Sequence, residues 1–276
     1  MQDAAYPIVQ WLDDVQSLKY SDYWNNEQEE RQKPFWVLDG DFKSMERYLA
    51  EIRLVDQLEA CVALVRERFS RDLRGTGCDL GAGNLWAVPH LLRFGRVRRI
   101  YCVEYSRHRL TKLGPAVLRH YGVPPESVVL ALGDLHAVRL AKAMVDFVLL
   151  SAAFHHSDRP DRLLTEIRRV LKPDGVVLII GEHIGDPTPA SYARHAVKYL
   201  VAQLPHTAQM RLFGRHVAAE RFIASFDDFL AGDERLGDHA YTRAQYASMF
   251  SAAGFHSACL RRRAWPTQAF VLVPSS

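Results

Sequence analysis

Short apolar runs alternate with longer amphipathic stretches between about residues 75 and 182. The runs are rich in β-branched residues and are typical of strands buried on both faces. They are Gly77–Leu80, Arg99–Glu104, Val128–Leu132, Val145–Leu150 and Val176–Ile180. Between the last two, apolar residues recur at helical spacing, with Pro160 in the first turn and Pro173-Asp-Gly175 predicted as the stop. This alternation predicts parallel strands joined by helical crossovers.

The flanking regions differ from this central pattern. Residues 1–70 read as helical and are interpreted as an N-terminal cap or lid. After Glu182 the strands stop, and a helical substrate insert is predicted over about 184–240. Thr242 and Gln245 then match a capping box, and Phe255–Leu260 and Ala269–Val273 read as two last strands. The prediction is an α/β domain over 71–276 with a seven-stranded, mostly parallel sheet and helices on both faces.

Composition narrows the class of protein. The 276 residues are 48% hydrophobic and 24% charged, which is a globular balance, and the formal net charge is only +3. We therefore expect no nucleic-acid partner, since no broad basic field follows from that charge. No apolar stretch approaches the length of a transmembrane helix and no signal peptide is recognised, so a cytoplasmic protein without membrane contact is expected. The four scattered cysteines are expected to be buried and reduced, without a metal site.

The chemistry-bearing motif lies where the first predicted strand ends, at Asp79-Leu-Gly-Ala-Gly-Asn84. Glycines at this turn let the backbone approach a ligand because no Cβ intrudes. Glu104 ends the second strand, where a carboxylate can hold a ribose diol, and Asp134 follows the third. Ligands of open α/β sheets bind beyond these strand ends.

This combination resembles the class I (Rossmann-like) S-adenosylmethionine (SAM)-dependent methyltransferases of the small-molecule type. The resemblance covers about residues 75–182 and is carried by 79–83, by Phe154-His-His-Ser-Asp-Arg-Pro160 and by 166–175. It implies SAM as the cofactor and S-adenosylhomocysteine as its product. It also implies a methionine site at Asp79, Gly81, Gly83 and Asn84, a ribose site at Glu104 and Tyr105, an adenine site at Asp134 and Leu135, and a sulfonium site at Ser151 and Ala152.

The two residues that follow the glycine turn bear on which ligand it binds. The family often has a third glycine where this chain has Leu85. A nicotinamide site would need a glycine at the position of Trp86, and a bulky indole there argues against a pyrophosphate on this helix. An empty structural turn is the remaining alternative for Gly81 and Gly83.

Candidate catalytic and substrate residues follow the fourth and fifth strands. His155 and His156 are predicted at the rim where an acceptor would sit, as a base or a substrate contact; the alternative is one core ring and one helix cap. Glu182 and His183 are candidate substrate contacts, or a solvated strand end. Among the N-terminal aromatics, Tyr20, Tyr23 and Trp24 are candidates to touch the site, although packing of a helical cap would also explain them.

The functional hypothesis is therefore methyl transfer from SAM to a small-molecule acceptor. Methylation of a macromolecule such as RNA or protein is one alternative, and a SAM-binding regulator without transfer activity is another. A related fold in which SAM serves a non-methylating reaction also stays open. The sequence identifies neither the acceptor atom nor the oligomeric state.

Overall fold

An eight-stranded sheet organises the part of the chain that the structure describes. The structure is a computed structural model, and it describes residues 6–12, 24–27, 40–94, 96–184, 189–213 and 239–275. The strands are β1 (Ile8–Gln10), β2 (Gly75–Leu80), β3 (Val97–Glu104), β4 (Val128–Leu132), β5 (Val145–Ser151), β6 (Leu171–Glu182), β7 (Phe255–Leu260) and β8 (Gln268–Pro274). Their order is β1-β4-β3-β2-β5-β6-β8-β7. Strands β1 to β6 pair in parallel, and β8 is antiparallel to both neighbours.

The seven predicted strands are confirmed, and the predicted α/β fold class with them. The eighth strand, β1, corrects the interpretation of 1–70 as wholly helical. It is the outermost strand on one side of the sheet and pairs with β4, with Val9 opposite Ala131. Three residues are too few to produce a periodic signal, so only the tertiary pairing makes this segment a strand.

The helices largely follow the predicted pattern. They are α1 (Phe42–Glu51), α2 (Leu54–Phe69), α3 (Ala87–Leu92), α4 (Gly114–His120), α5 (Pro160–Val170), α6 (Pro189–Ala202), α7 (His206–Phe213) and α8 (Arg243–Ala252). The capping box of Thr242 and Gln245 is present at the start of α8. Helix α5 ends earlier than predicted, because Leu171 already pairs with Val145 as part of β6. Of the predicted insert, residues 185–188 and 214–238 lie outside the described residues.

Two hydrophobic layers cover the two faces of the sheet. One contains Met45 of α1 and Leu58 of α2, and the other contains Phe154, Tyr246 and Phe250. Three of the cysteines are buried as expected, but Cys259 is exposed because it lies on the edge strand β7. No described helix combines the length and the apolar character that crossing a bilayer requires. The parallel strands β2 to β6 therefore bring their carboxyl ends to one edge, between these layers.

Candidate functional site

The loop after β2 carries two glycines in the left-handed region and packs closely against the loop after β5. Gly81 has φ 71° and Gly83 has φ 57°. A Cβ added at Gly81 would lie 2.9 Å from the Cβ of Ala153, so even a methyl group does not fit there. Leu85 also has a left-handed φ of 65° and is fully buried. The position of the missing third glycine thus keeps the backbone conformation that glycine favours.

Two buried acids lie beside this loop. The Glu104 carboxylate accepts hydrogen bonds from the backbone amides of Gly83 and Ser106, each at 2.8 Å. Asp79 is 1% exposed, and its Oδ1 has no hydrogen-bond partner among the described residues. Burial, together with the negative charge of Glu104, raises the pKa of Asp79 to about 7. A cationic ligand group at this place would stabilise the ionised form of Asp79.

Two other predicted cofactor residues, Asn84 and Tyr105, directly follow Gly83 and Glu104 in the sequence. Asn84 is fully buried, and its Oδ1 accepts from the amide of Trp86 at 3.3 Å, at the start of α3. Tyr105 is half-buried, and burial raises the pKa of its hydroxyl above the ordinary range. Tyr105 therefore stays a neutral phenol at physiological pH.

The loop after β4 places Asp134 in a local network. Its Oδ1 accepts from the backbone amide of His136 at 2.8 Å and lies 2.8 Å from the His136 Nδ1. Burial alone would raise the pKa of Asp134, but the hydrogen bonds from His136 and the nearby Arg159 lower it, so the carboxylate is ionised. The next residue, Leu135, approaches the glycine loop: a Cβ at Gly81 would lie 3.9 Å from its Cδ2.

Strand β5, which lies next to β2 in the sheet, ends at Ser151, and Ala152 follows it. The Ser151 Oγ is buried without a hydrogen-bond partner in the described residues. Ala152 has φ 49°, and its amide donates to the Ile180 carbonyl at 2.8 Å, which fixes this strained turn against β6.

A buried acid, a histidine and a tyrosine form a cluster near the carboxyl end of β6. Glu182 is fully buried, and its Oε2 accepts from the Tyr246 hydroxyl at 2.7 Å and lies 3.2 Å from the His155 Nδ1. Burial alone would raise the pKa of Glu182, but His155 and Tyr246 lower it below its ordinary value. Glu182 is therefore a buried carboxylate rather than a solvated strand end. His183 is exposed, with its ring 5.5 Å from that of His155.

Trp24, from the N-terminal part of the chain, packs beside this cluster against His156. Its ring packs edge-on to His156 at 4.7 Å, and the guanidinium of Arg109 lies 4.8 Å from its centre. Arg109 is 5% exposed, so this aromatic contact lies within a covered region. Tyr20 and Tyr23 lie outside the described residues.

The donor set fits SAM. Three buried side-chain oxygens without a described partner lie near the carboxyl ends of the adjacent strands β2, β5 and β6: Asp79 Oδ1, Ser151 Oγ and Glu182 Oε1. Buried polar atoms are almost always hydrogen-bonded, so this concentration indicates a place for a polar ligand. The acidic groups of Asp79 and Glu104 suit the amino group of an amino-acid tail and the hydroxyl groups of a sugar. No group of three His, Cys, Asp or Glu side chains suited to a metal occurs in the described ranges.

Sequence reasoning missed His136, Ser157 and Tyr246 as site residues. Tyr246 lies on α8, and a sequence pattern does not indicate where its hydroxyl group bonds. His136 follows Asp134 by two residues, which was a usable signal because such spacing permits a local side-chain bond.

A comparison with models of known protein families gives a match in the central part of the chain. The sequence profile of a family described as a methyltransferase domain matches residues 78–179. No curated protein sequence matches the chain.

Several solved structures share the fold at low sequence identity. A SAM-dependent methyltransferase from Aquifex aeolicus is 14% identical with a TM-score of 0.51, over 81% of this chain and 90% of that one. A protein found in complex with the Trm112 methyltransferase activator of Haloferax volcanii is 16% identical with a TM-score of 0.54, over 85% and 95%. The pyocyanin biosynthetic protein PhzM is 16% identical with a TM-score of 0.54, over 87% and 60%.

Proposed function

We propose that this chain, whose residues 78–179 match the model of a methyltransferase domain, is a class I SAM-dependent methyltransferase that transfers the methyl group of SAM to a small-molecule acceptor. The observation that carries the proposal is the buried Asp79 beside the glycine loop and Glu104. An acid with a raised pKa and an unpartnered oxygen is a functional-site signal when it lies at a ligand-binding strand end.

The cofactor side of the edge would hold SAM through three groups. Asp79 would accept from the amino group of the methionine part, and the backbone at Gly81 and Gly83 would leave room for that part. Glu104, already fixed by two backbone amides, would accept from the ribose hydroxyls with its remaining lone pairs. The bound sulfonium supplies an activated methyl group, so the protein mainly has to align the acceptor and exclude water.

On the acceptor side, His155 is the better-supported general base of the histidine pair. Its Nδ1 faces the ionised Glu182, so a proton taken from an acceptor would go to Nε2. Glu182 would be a positioning residue that fixes the tautomer of His155 and stabilises its protonated form. The Tyr246 hydroxyl would hold Glu182 in turn.

A small acceptor is supported by the covered rim. Trp24 lies against His156 and Arg109, so the N-terminal segment narrows the approach to the acceptor side. A net charge of only +3 gives no general attraction for RNA or DNA.

The test is a transfer assay with methyl-labelled SAM and three acceptor pools: low-molecular-weight metabolites, bulk RNA and mixed proteins. We expect S-adenosylhomocysteine to form and the label to appear in the small-molecule pool alone. Label in RNA or protein would contradict the proposal, and so would cofactor binding without transfer to any pool.

Matched histidine variants test the role of the base. His155→Gln should lower kcat by about 10²–10⁴-fold, because a positioned base contributes that much, while the affinity for S-adenosylhomocysteine stays the same. His256→Gln is the control, since His256 is exposed on the edge strand β7. Equal activity of the two variants would remove His155 from the mechanism.

A further inference from the structure

A hydrogen-bonded chain of three side chains joins two loops of the site. The His136 Nδ1 lies 2.8 Å from Asp134 Oδ1, and the His136 Nε2 lies 2.7 Å from the Ser157 Oγ. His136 is 8% exposed and Ser157 is fully buried. The chain thus runs from the loop after β4 to the turn that follows His155 and His156.

The chemistry of the three groups fixes the direction of the first bond. The Asp134 carboxylate is ionised and can only accept, so the His136 Nδ1 must carry a hydrogen and donate it. The other ring nitrogen is held by Ser157, whose oxygen also accepts from the Arg159 amide at 3.3 Å. Because both ring nitrogens are engaged, the imidazole cannot rotate without breaking a buried bond.

This arrangement settles which oxygen of Asp134 is available to a ligand. Oδ1 receives both bonds from His136, one from the backbone and one from the ring. Oδ2 lies 3.8 Å from an Arg159 guanidinium nitrogen, which is too long for a hydrogen bond. The His136 contacts therefore hold the carboxylate in one orientation and leave Oδ2, which forms an ion pair but no hydrogen bond with Arg159, as the oxygen that can still accept a hydrogen bond.

We infer that His136, locked by Ser157, is a positioning residue that makes the cofactor site selective for an adenine base. The inference rests on the proposed function and on the adenine site that the family resemblance implies at Asp134. Adenine carries an exocyclic amino group that donates, whereas hypoxanthine in the same orientation places a carbonyl oxygen there, which the carboxylate repels. The N1–H group of hypoxanthine can donate to the carboxylate only if the carboxylate or the base shifts. Selectivity follows only if Oδ2 is held in place, which is the role assigned to His136.

The test compares two nucleosides by isothermal titration calorimetry: S-adenosylhomocysteine and S-inosylhomocysteine, in which a carbonyl replaces the amino group. Wild-type protein should prefer the adenine compound by about tenfold or more, the worth of one charge-assisted hydrogen bond. His136→Gln and the milder Ser157→Ala should lose most of that preference while still binding S-inosylhomocysteine. His256→Gln on the edge strand β7 is the matched control and should keep the full preference.

The outcomes separate this inference from the proposed function. If wild type binds S-adenosylhomocysteine but does not distinguish the two compounds, the positioning role is refuted and the proposed function stands. If both variants weaken the two ligands by the same factor, His136 is only structural and the inference fails. If wild type binds neither compound, the proposed function fails as well.

Discussion

Asp79 should make the folded protein less stable as the pH rises from about 4 to about 7. Its pKa is raised from 3.8 to about 7 by burial and by the charge of Glu104. A carboxyl group with a raised folded-state pKa contributes stability that is present below the unfolded pKa. That contribution is lost as the pH rises through the folded pKa, because the unfolded chain releases its proton first.

The size of the effect follows from the shift. One pKa unit corresponds to about 1.36 kcal/mol, so a shift of roughly three units amounts to roughly 4 kcal/mol in full. Most of it is lost between about pH 4 and pH 7, where linkage gives a loss of roughly 3 kcal/mol. Asp79→Asn removes this titration, so the variant should gain that amount relative to wild type over the same interval.

Urea unfolding of wild type and Asp79→Asn at several pH values measures this difference. Any constant effect of the amide on stability cancels, because only the change of the stability difference with pH tests the ionisation of Asp79. Asp174→Asn is a suitable control, since Asp174 is exposed and should leave the two stability curves parallel. Parallel curves for Asp79→Asn would show that Asp79 is ionised in the free protein and would refute the account of the two acids.

Three further variants test local parts of the structure by urea unfolding. Gly114→Ala should destabilise the protein by about 1–3 kcal/mol, because the added Cβ would lie 2.5 Å from the Cδ1 of the buried Leu85; unchanged stability would contradict this packing. Tyr246→Phe should lower the free energy of unfolding by about 1.5–3 kcal/mol, because it removes a hydrogen-bond donor to the buried Glu182 carboxylate. An unchanged free energy of unfolding would show that this hydrogen bond is absent. Gly81→Ala should cost at least about 1 kcal/mol because of its φ of 71°, and should also weaken binding of S-adenosylhomocysteine; wild-type affinity would contradict a ligand close to this backbone.

Most of the sheet could be predicted from the sequence because its central strands are buried on both faces. Runs such as Val128–Leu132 are apolar without interruption and have the bounds that the structure gives them. The short strand Ile8–Gln10 could not be predicted, since it depends on pairing with β4 rather than on any pattern of its own. The early start of β6 at Leu171 has the same origin, because pairing with Val145 overrides the turn residues that follow.

The site was predictable in its backbone but not in its side-chain partners. The glycine loop and the acids at strand ends were visible because their positions are local to each strand. The direction of the Glu182 side chain could not be predicted from the sequence. Gly181 has φ 75° and lies where the register between β6 and β8 shifts, and this irregularity precedes Glu182 directly. The Glu182 carboxylate then accepts a hydrogen bond from the Tyr246 hydroxyl. The link from His136 to Ser157 joins loops 21 residues apart, which no spacing rule indicates.

The central claim is that the edge holding Asp79 and Glu104 binds SAM. Titration of S-adenosylhomocysteine into wild type and Glu104→Ala, with folding checked by circular dichroism, tests it most directly. The account predicts saturable binding at one site per chain in wild type, and an affinity at least about tenfold lower in the variant, which lacks the proposed ribose acceptor. No binding heat from well-folded wild type, or equal affinities of the two proteins, would contradict it.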